Sequence, residues 1–146
     1  MWLIKKYEGL RFEAYLDEAG VATIGWGHTK NVNIGQTIDE FAAEVYLLED
    51  LEEAQATVKD LIEVPLVQNQ FDALVSFAFN FGRTKFSKST LRKKLNAGDY
   101  ESVPHQLTRW RYINIRGQYV ASKGLLNRRI AEAKFFKDGT LETEDG

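Results

Sequence analysis

The apolar positions change their period along the chain. Leu3, Ile4, Tyr7 and Leu10 recur at helical spacing, which predicts a short first helix over about residues 2–10 with Gly9 at its end. From Phe12 to Thr29 the pattern alternates instead and is punctuated by Gly20, Gly25 and Gly27. That reads as a hairpin or three short strands, with Val21, Thr23 and Gly25 on one face and Ala22, Ile24 and Trp26 on the other. Thr37 followed by Glu40 fits a capping box. Behind it, Ile38, Phe41, Ala42, Val45, Leu48, Leu51 and Val58 predict a long helix to about residue 60, long enough to bridge two lobes. Pro65 interrupts. Phe71–Phe81 is apolar almost all round and predicts a central buried helix ending at Gly82. Further helices are expected after Ser87 or Ser89 with Leu91 and Leu95 inward, around Val103, Leu107 and Trp110, and from about Leu125 to Phe136.

The fold class this predicts is α+β and mainly α, with a small N-terminal sheet. A single domain is expected over residues 1–137, the acidic segment 138–146 being a flexible tail. No repeat or long linker divides it.

Composition narrows the function classes. A hydrophobic content of 44% and an aromatic content of 12% suit a globular core. Without cysteine there is no disulfide framework and no thiolate metal site, and two histidines, His28 and His105, make a histidine-rich site a poor expectation. No metal or organic cofactor is expected. No apolar run reaches membrane-spanning length and no signal peptide is read, so stable membrane insertion is not expected.

The net charge of −2 hides a division: residues 1–82 hold 5 Lys/Arg against 14 Asp/Glu, residues 83–137 hold 14 against 3, and residues 138–146 carry 4 acids. Either the two parts neutralise each other within one fold, or the basic part faces a polyanion such as nucleic acid or a cell-wall polymer. Aromatics interleave the basic block at 109–112 (RWRY), yet no nucleic-acid-binding motif accompanies them, and no nucleic-acid partner is expected.

Within the opening stretch, Glu8 precedes Asp17 by 9 positions and Asp17 precedes Thr23 by 6. Glycoside cleavage needs an acid to protonate the departing oxygen and a second carboxylate across the sugar. The two must sit in different environments. Glu8 at a helix end suits partial burial, Asp17 beside Glu18 suits a wet, charged state, and the Thr23 hydroxyl suits holding a water against Asp17. Read blind, the same residues are an exposed helix position and a turn acid.

Glu8-Gly9-Leu10-Arg11, Tyr15-x-Asp17 and Thr23-Ile24-Gly25-x-Gly27-His28 resemble the phage-type lysozymes of glycoside hydrolase family 24. So do Gln70-Phe71-Asp72-Ala73-Leu74-Val75-Ser76-Phe77-x-Phe79-Asn80-x-Gly82, Phe86-x-x-Ser89-Thr90-Leu91 and Gly124-Leu125-x-x-Arg128-Arg129. The resemblance spans residues 3 to about 136. It implies a two-lobed lysozyme-like fold. The sheet lobe would cover about 11–35, and a long helix would join it to a helical lobe of about 65–137 plus the first helix. It implies an endolysin that hydrolyses the β-1,4 bond between N-acetylmuramic acid and N-acetylglucosamine in bacterial peptidoglycan, releasing phage from the host. Glu8 is then the general acid, Asp17 the general base and Thr23 its partner, in an inverting reaction whose carboxyls stand farther apart than the roughly 5 Å of a retaining pair. The resemblance further implies a monomer that waits in the host cytoplasm, crosses the inner membrane with a holin and acts on the wall in the periplasm. Some relatives carry an N-terminal signal-anchor instead. The competing expectations are a lytic transglycosylase on the same bond and a non-catalytic wall-binding or nucleic-acid-binding module.

Supporting roles follow for other residues. His28 pairs with a carboxylate or anchors the sheet to the helices. One of Arg128 and Arg129 approaches Glu8, and neighbours on a helix point about 100° apart. Asn80 reaches the substrate or caps its helix. Tyr15 and Trp26 either stack on sugars or fill the core, whereas Trp110 is a core residue and His105 a surface one.

Overall fold

The computed structural model describes residues 2–140, and the stretch expected to be a tail lies largely outside them. Helix α1 (Trp2–Glu8) is followed by strands β1 (Arg11–Leu16) and β2 (Ala22–Gly25), an antiparallel pair. Helices α2 (Glu40–Leu61), α3 (Gln68–Phe81), α4 (Arg83–Lys88), α5 (Thr90–Asn96) and α6 (Val103–Thr108) follow. A second antiparallel pair, β3 (Tyr112–Ile115) and β4 (Gln118–Ala121), precedes the last helix, α7 (Lys123–Asp138). The mainly helical α+β expectation holds.

Helix α3 is the hub. It packs against α2 and α7, while α6 packs on the other side of α7. Phe77, Leu74, Val75, Phe86, Leu91, Leu95 and Leu107 are wholly buried around it. Burying each such side chain is worth about 2 kcal/mol, which is why the apolar run is the most reliable element in the sequence. Trp110 packs edge-on against Phe77 and Phe81 at 5.3 and 5.0 Å, a core aromatic as expected. Ser89 caps α5 by accepting a hydrogen bond from the Arg92 amide at 3.1 Å. Helix α2 contacts β2 on one side and α3 and α4 on the other, so it bridges the sheet and the helices.

Several details differ from the sequence reading. The Thr37/Glu40 capping box does not form. Thr37 pairs instead with Glu13 in a β-bridge, and Asp39 caps α2, its Oδ1 accepting from the Ala42 amide at 2.8 Å. The apolar stripe on α2 is only partly in phase. Val58 is buried and Leu51 packs on the core as expected, but the other buried hydrophobic positions are Ala43, Leu47 and Ala54, whereas Phe41 and Leu48 are 78% and 61% exposed. Small residues face inward here, so a pattern weighted towards large side chains misjudges the buried face.

The third difference is the β3–β4 hairpin, which the helical reading missed. Its two-residue turn, Arg116-Gly117, has φ of 51° and 83°, the doubly positive geometry that suits tight hairpins. The last helix ends at Asp138, two residues beyond expectation, where Gly139 takes the left-handed cap at φ 73°.

Candidate active site

Glu8 is the last residue of α1, and Gly9 turns the chain away with φ 68°. Leu3 and Ile4 bury the other face of this seven-residue helix, and α1 seats on α3 and α7. The Glu8 side chain is therefore left only 17% exposed. Arg128 of α7 donates from Nη1 to Glu8 Oε2 at 2.9 Å. The rest of that guanidinium is fixed from behind: Nη2 donates to the Ser76 carbonyl at 3.1 Å and Nε to Glu132 Oε2 at 3.3 Å.

Arg129 turns the other way. It donates to Asn80 Oδ1 at 2.9 Å and to Glu132 Oε2 at 2.8 Å, and its guanidinium lies over the rings of Phe77 and Phe81. Burial pushes its pKa down, opposed by the Glu132 charge. Arg128 is thus the arginine that meets Glu8. Asn80 neither caps α3 nor faces outward with its oxygen; it holds Arg129.

Glu132, wholly buried, ties both arginines together and also accepts from the Ser76 hydroxyl. Neither Glu132 nor Ser76 was singled out from sequence. Their signals were an acid three and four residues after two arginines, and a hydroxyl amid an apolar helix.

Opposite Glu8 stands Gly27. A Cβ there would lie 2.7 Å from Glu8 Cδ and Oε1, closer than any side chain tolerates, and φ is +74°. The space beside this glycine is taken by the glutamate carboxylate itself.

Asp17 follows β1. Its Oδ1 accepts from the Ala19 and Val21 amides at 2.9 and 2.8 Å, which closes the turn into β2 and leaves Oδ2 outside that pair of bonds. Thr23 is buried, and its hydroxyl donates to the Val21 carbonyl at 2.8 Å. The strand register sets Tyr15 opposite Thr23, so the two share a face of the hairpin. The Tyr15 ring lies under the Arg11 guanidinium at 4.3 Å. Its hydroxyl pKa is raised, first by burial and then by the negative charge of Glu8, with Asp17 adding a smaller push. The tyrosine thereby senses both carboxylates at once.

His28 anchors the sheet. Its Nδ1 lies 2.8 Å from Asp50 Oδ2 on α2, and its ring stacks on Tyr46 at 4.1 Å, nearly parallel. Trp26 is 8% exposed and belongs to the core, with Lys5 over its face. A cavity of about 180 Å³ opens beside Gly27, walled by Asp50, Glu53 and Thr57 of α2 and by Ala78 and Phe79 of α3. Among the described residues no group of His, Cys, Asp or Glu is placed to hold a metal ion, and no helix is long and apolar enough to cross a membrane.

The site therefore offers two carboxylates in unlike surroundings, one tethered by a buried arginine and one held in a turn by amides, with the Thr23 hydroxyl bonded to Val21, the same residue whose amide holds the second. A family model described as Phage lysozyme matches residues 5–132. An endolysin from Acyrthosiphon pisum secondary endosymbiont phage 1 is 46% identical over 135 residues, 92% of each chain. The solved endolysin from Escherichia coli O157:H7 phage FAHEc1 matches with a TM-score of 0.85 at 41% identity, over 97% of this chain and 92% of that one. The muramidase domain of SpmX from Asticaccaulis excentricus gives a TM-score of 0.82 at 36% identity, over 92% of both.

Proposed function

The chain belongs to the phage lysozyme family, and from that membership we propose how it hydrolyses peptidoglycan: Glu8 is the general acid and Asp17, with Thr23, activates the water. The observation that carries the reading is the setting of Glu8, a carboxylate fixed by Arg128 at 2.9 Å and packed against Gly27. One catalytic unit over residues 1–137 would hold all of it.

In this scheme a muramyl–glucosaminyl bond lies across the site. Glu8 gives its proton to the glycosidic oxygen as the bond to the anomeric carbon breaks. Thr23 has already committed its own hydroxyl proton to Val21, so its oxygen is left to accept. A water that donates one hydrogen to Thr23 Oγ1 and the other to Asp17 presents its free lone pair to the anomeric carbon. Its oxygen bonds there and its proton passes to Asp17; Asp17 then releases that proton to solvent and Glu8 takes one back. The product carries inverted configuration. Arg128 orients the acid, and Glu132 spreads the arginine's charge over two carboxylates.

The same reading makes the protein an endolysin that acts on the bacterial wall during host lysis. It accumulates as a monomer in the host cytoplasm and passes the inner membrane with the help of a holin. Turbidity loss of permeabilised Gram-negative cells tests the catalytic assignment. Glu8→Gln, matched to the native protein in thermal stability, should lose about a thousandfold of the lytic rate. Lysis retained by that variant would remove Glu8 from the reaction. Mass analysis of the fragments should show a water added at the new reducing end; an anhydro sugar would place the protein with the lytic transglycosylases.

A further inference from the structure

The β3–β4 hairpin plays no part in the reaction just described, and it stands out from the body of the protein. All four residues of β4 are exposed, and in β3 only Ile113 is partly covered. The two strands pack chiefly on each other. A lone two-stranded hairpin is marginal in water, so its persistence rests on local devices. These are the Arg116-Gly117 turn, the Gly117 amide donating to Asn114 Oδ1 at 2.9 Å, and the Ser122 amide donating to the Arg111 carbonyl at 2.7 Å across its base.

The register sorts its side chains by chemistry. Tyr112 pairs with Ala121 and Asn114 with Tyr119, so Tyr112, Asn114 and Tyr119 share one face; Ile113, Ile115 and Val120 share the other. Tyr112 and Tyr119 are 45% and 75% exposed, large aromatic surface that folding leaves wet. A face of two tyrosines and an amide suits a sugar: the rings stack on its apolar C–H face while the phenols and the amide meet its hydroxyls. Between Glu101 and Glu132 the chain has no acid, and Arg109, Arg111, Arg116 and Lys123 lie on or beside the hairpin. That charge complements the carboxylates of the peptides borne by a peptidoglycan strand.

Location completes the case. Ser122, the residue after β4, donates from Oγ to Glu18 Oε2 at 3.0 Å, and Glu18 adjoins Asp17. The base of the hairpin therefore rests on the loop that carries the second carboxylate of the site.

We propose that the β3–β4 hairpin is a substrate arm: its Tyr112–Asn114–Tyr119 face holds the glycan strand where it leaves the site past Asp17, and its arginines hold the acidic stem peptides. This rests on the peptidoglycan reading above. Contact beyond the cleaved bond matters for a polymer and not for a fragment too short to reach the arm.

The experiment compares the native protein, Tyr119→Ala and the double variant Tyr112→Ala/Tyr119→Ala on purified sacculi and on a soluble four-sugar peptidoglycan fragment. On sacculi the double variant should raise KM about tenfold with kcat little changed, and kinetics on the fragment should not move. Tyr119→Trp, which keeps the stacking surface, should restore the native KM. Unaltered KM on sacculi, or an equal loss on both substrates at native thermal stability, overturns the arm.

Sedimentation with sacculi in the Glu8→Gln background reads binding without turnover. There the tyrosine pair should again weaken retention about tenfold. A native protein that cleaves neither substrate would sink the peptidoglycan reading, whereas unchanged retention would sink the arm alone. Vesicles of anionic phospholipid supply the last comparison. Vesicle binding lost with the two tyrosines, while sacculus binding stays intact, would make the hairpin a membrane contact and refute the assignment.

Discussion

Gly27 has no side chain, and the space one would fill is occupied by the Glu8 carboxylate. Tyr15 shows how such placement becomes measurable. Its pKa is raised above the ordinary 10.0 by burial and by two nearby carboxylates, so folding favours the neutral phenol. The stability gained is fully present below the unfolded value near 10 and is lost as pH rises through the higher folded value. Thermal midpoints of the native protein should therefore fall more steeply above about pH 10 than those of Tyr15→Phe. Parallel curves for the two would show that the phenol is not strained by its neighbours.

Helix α7 shows the limits of pattern at the next scale. Its period was readable, but a helix whose inward face carries Arg128, Arg129 and Glu132 is ranked by polarity as a surface helix until its partners are known. Glu132 and Glu8 together offset the two arginine charges, with help from Ser76 and Asn80. Glu132→Gln removes the charge that two buried guanidinium groups share. It should cost about 3 kcal/mol of stability, read as a fall in the urea midpoint at constant slope. Lytic activity should fall further than the folded fraction explains, because Arg128 loses one of its holds. A variant of native stability and activity would show that Glu132 is a bystander. The missed hairpin and the partly misphased α2 have simpler causes. Four-residue strands give little alternation to detect, and the buried face of α2 is marked by alanines that also suit solvent.

Across the molecule the division of charge was visible by counting, and the fold gives part of it an internal use. Arg128 meets Glu8, and Arg83 reaches Asp60 at 2.7 Å, so some of the basic half is spent on the acidic half. The cations left on the surface, Arg109 and Arg116 beside and on the hairpin among them, are open to an anionic wall. Raising ionic strength from about 0.01 to 0.15 M shortens the screening length from about 30 to 8 Å. The rate of cell lysis should drop over that range, and Arg111→Gln/Arg116→Gln should flatten the dependence. A lytic rate indifferent to salt would leave no role for long-range attraction.

The Glu8–Arg128 contact joins residues 120 positions apart, tying α1 to α7. During synthesis the glutamate leaves the ribosome long before its arginine exists. Nascent or prematurely terminated chains thus carry the acid without the group that orients it. On the proposed mechanism, lytic competence arrives only with α7.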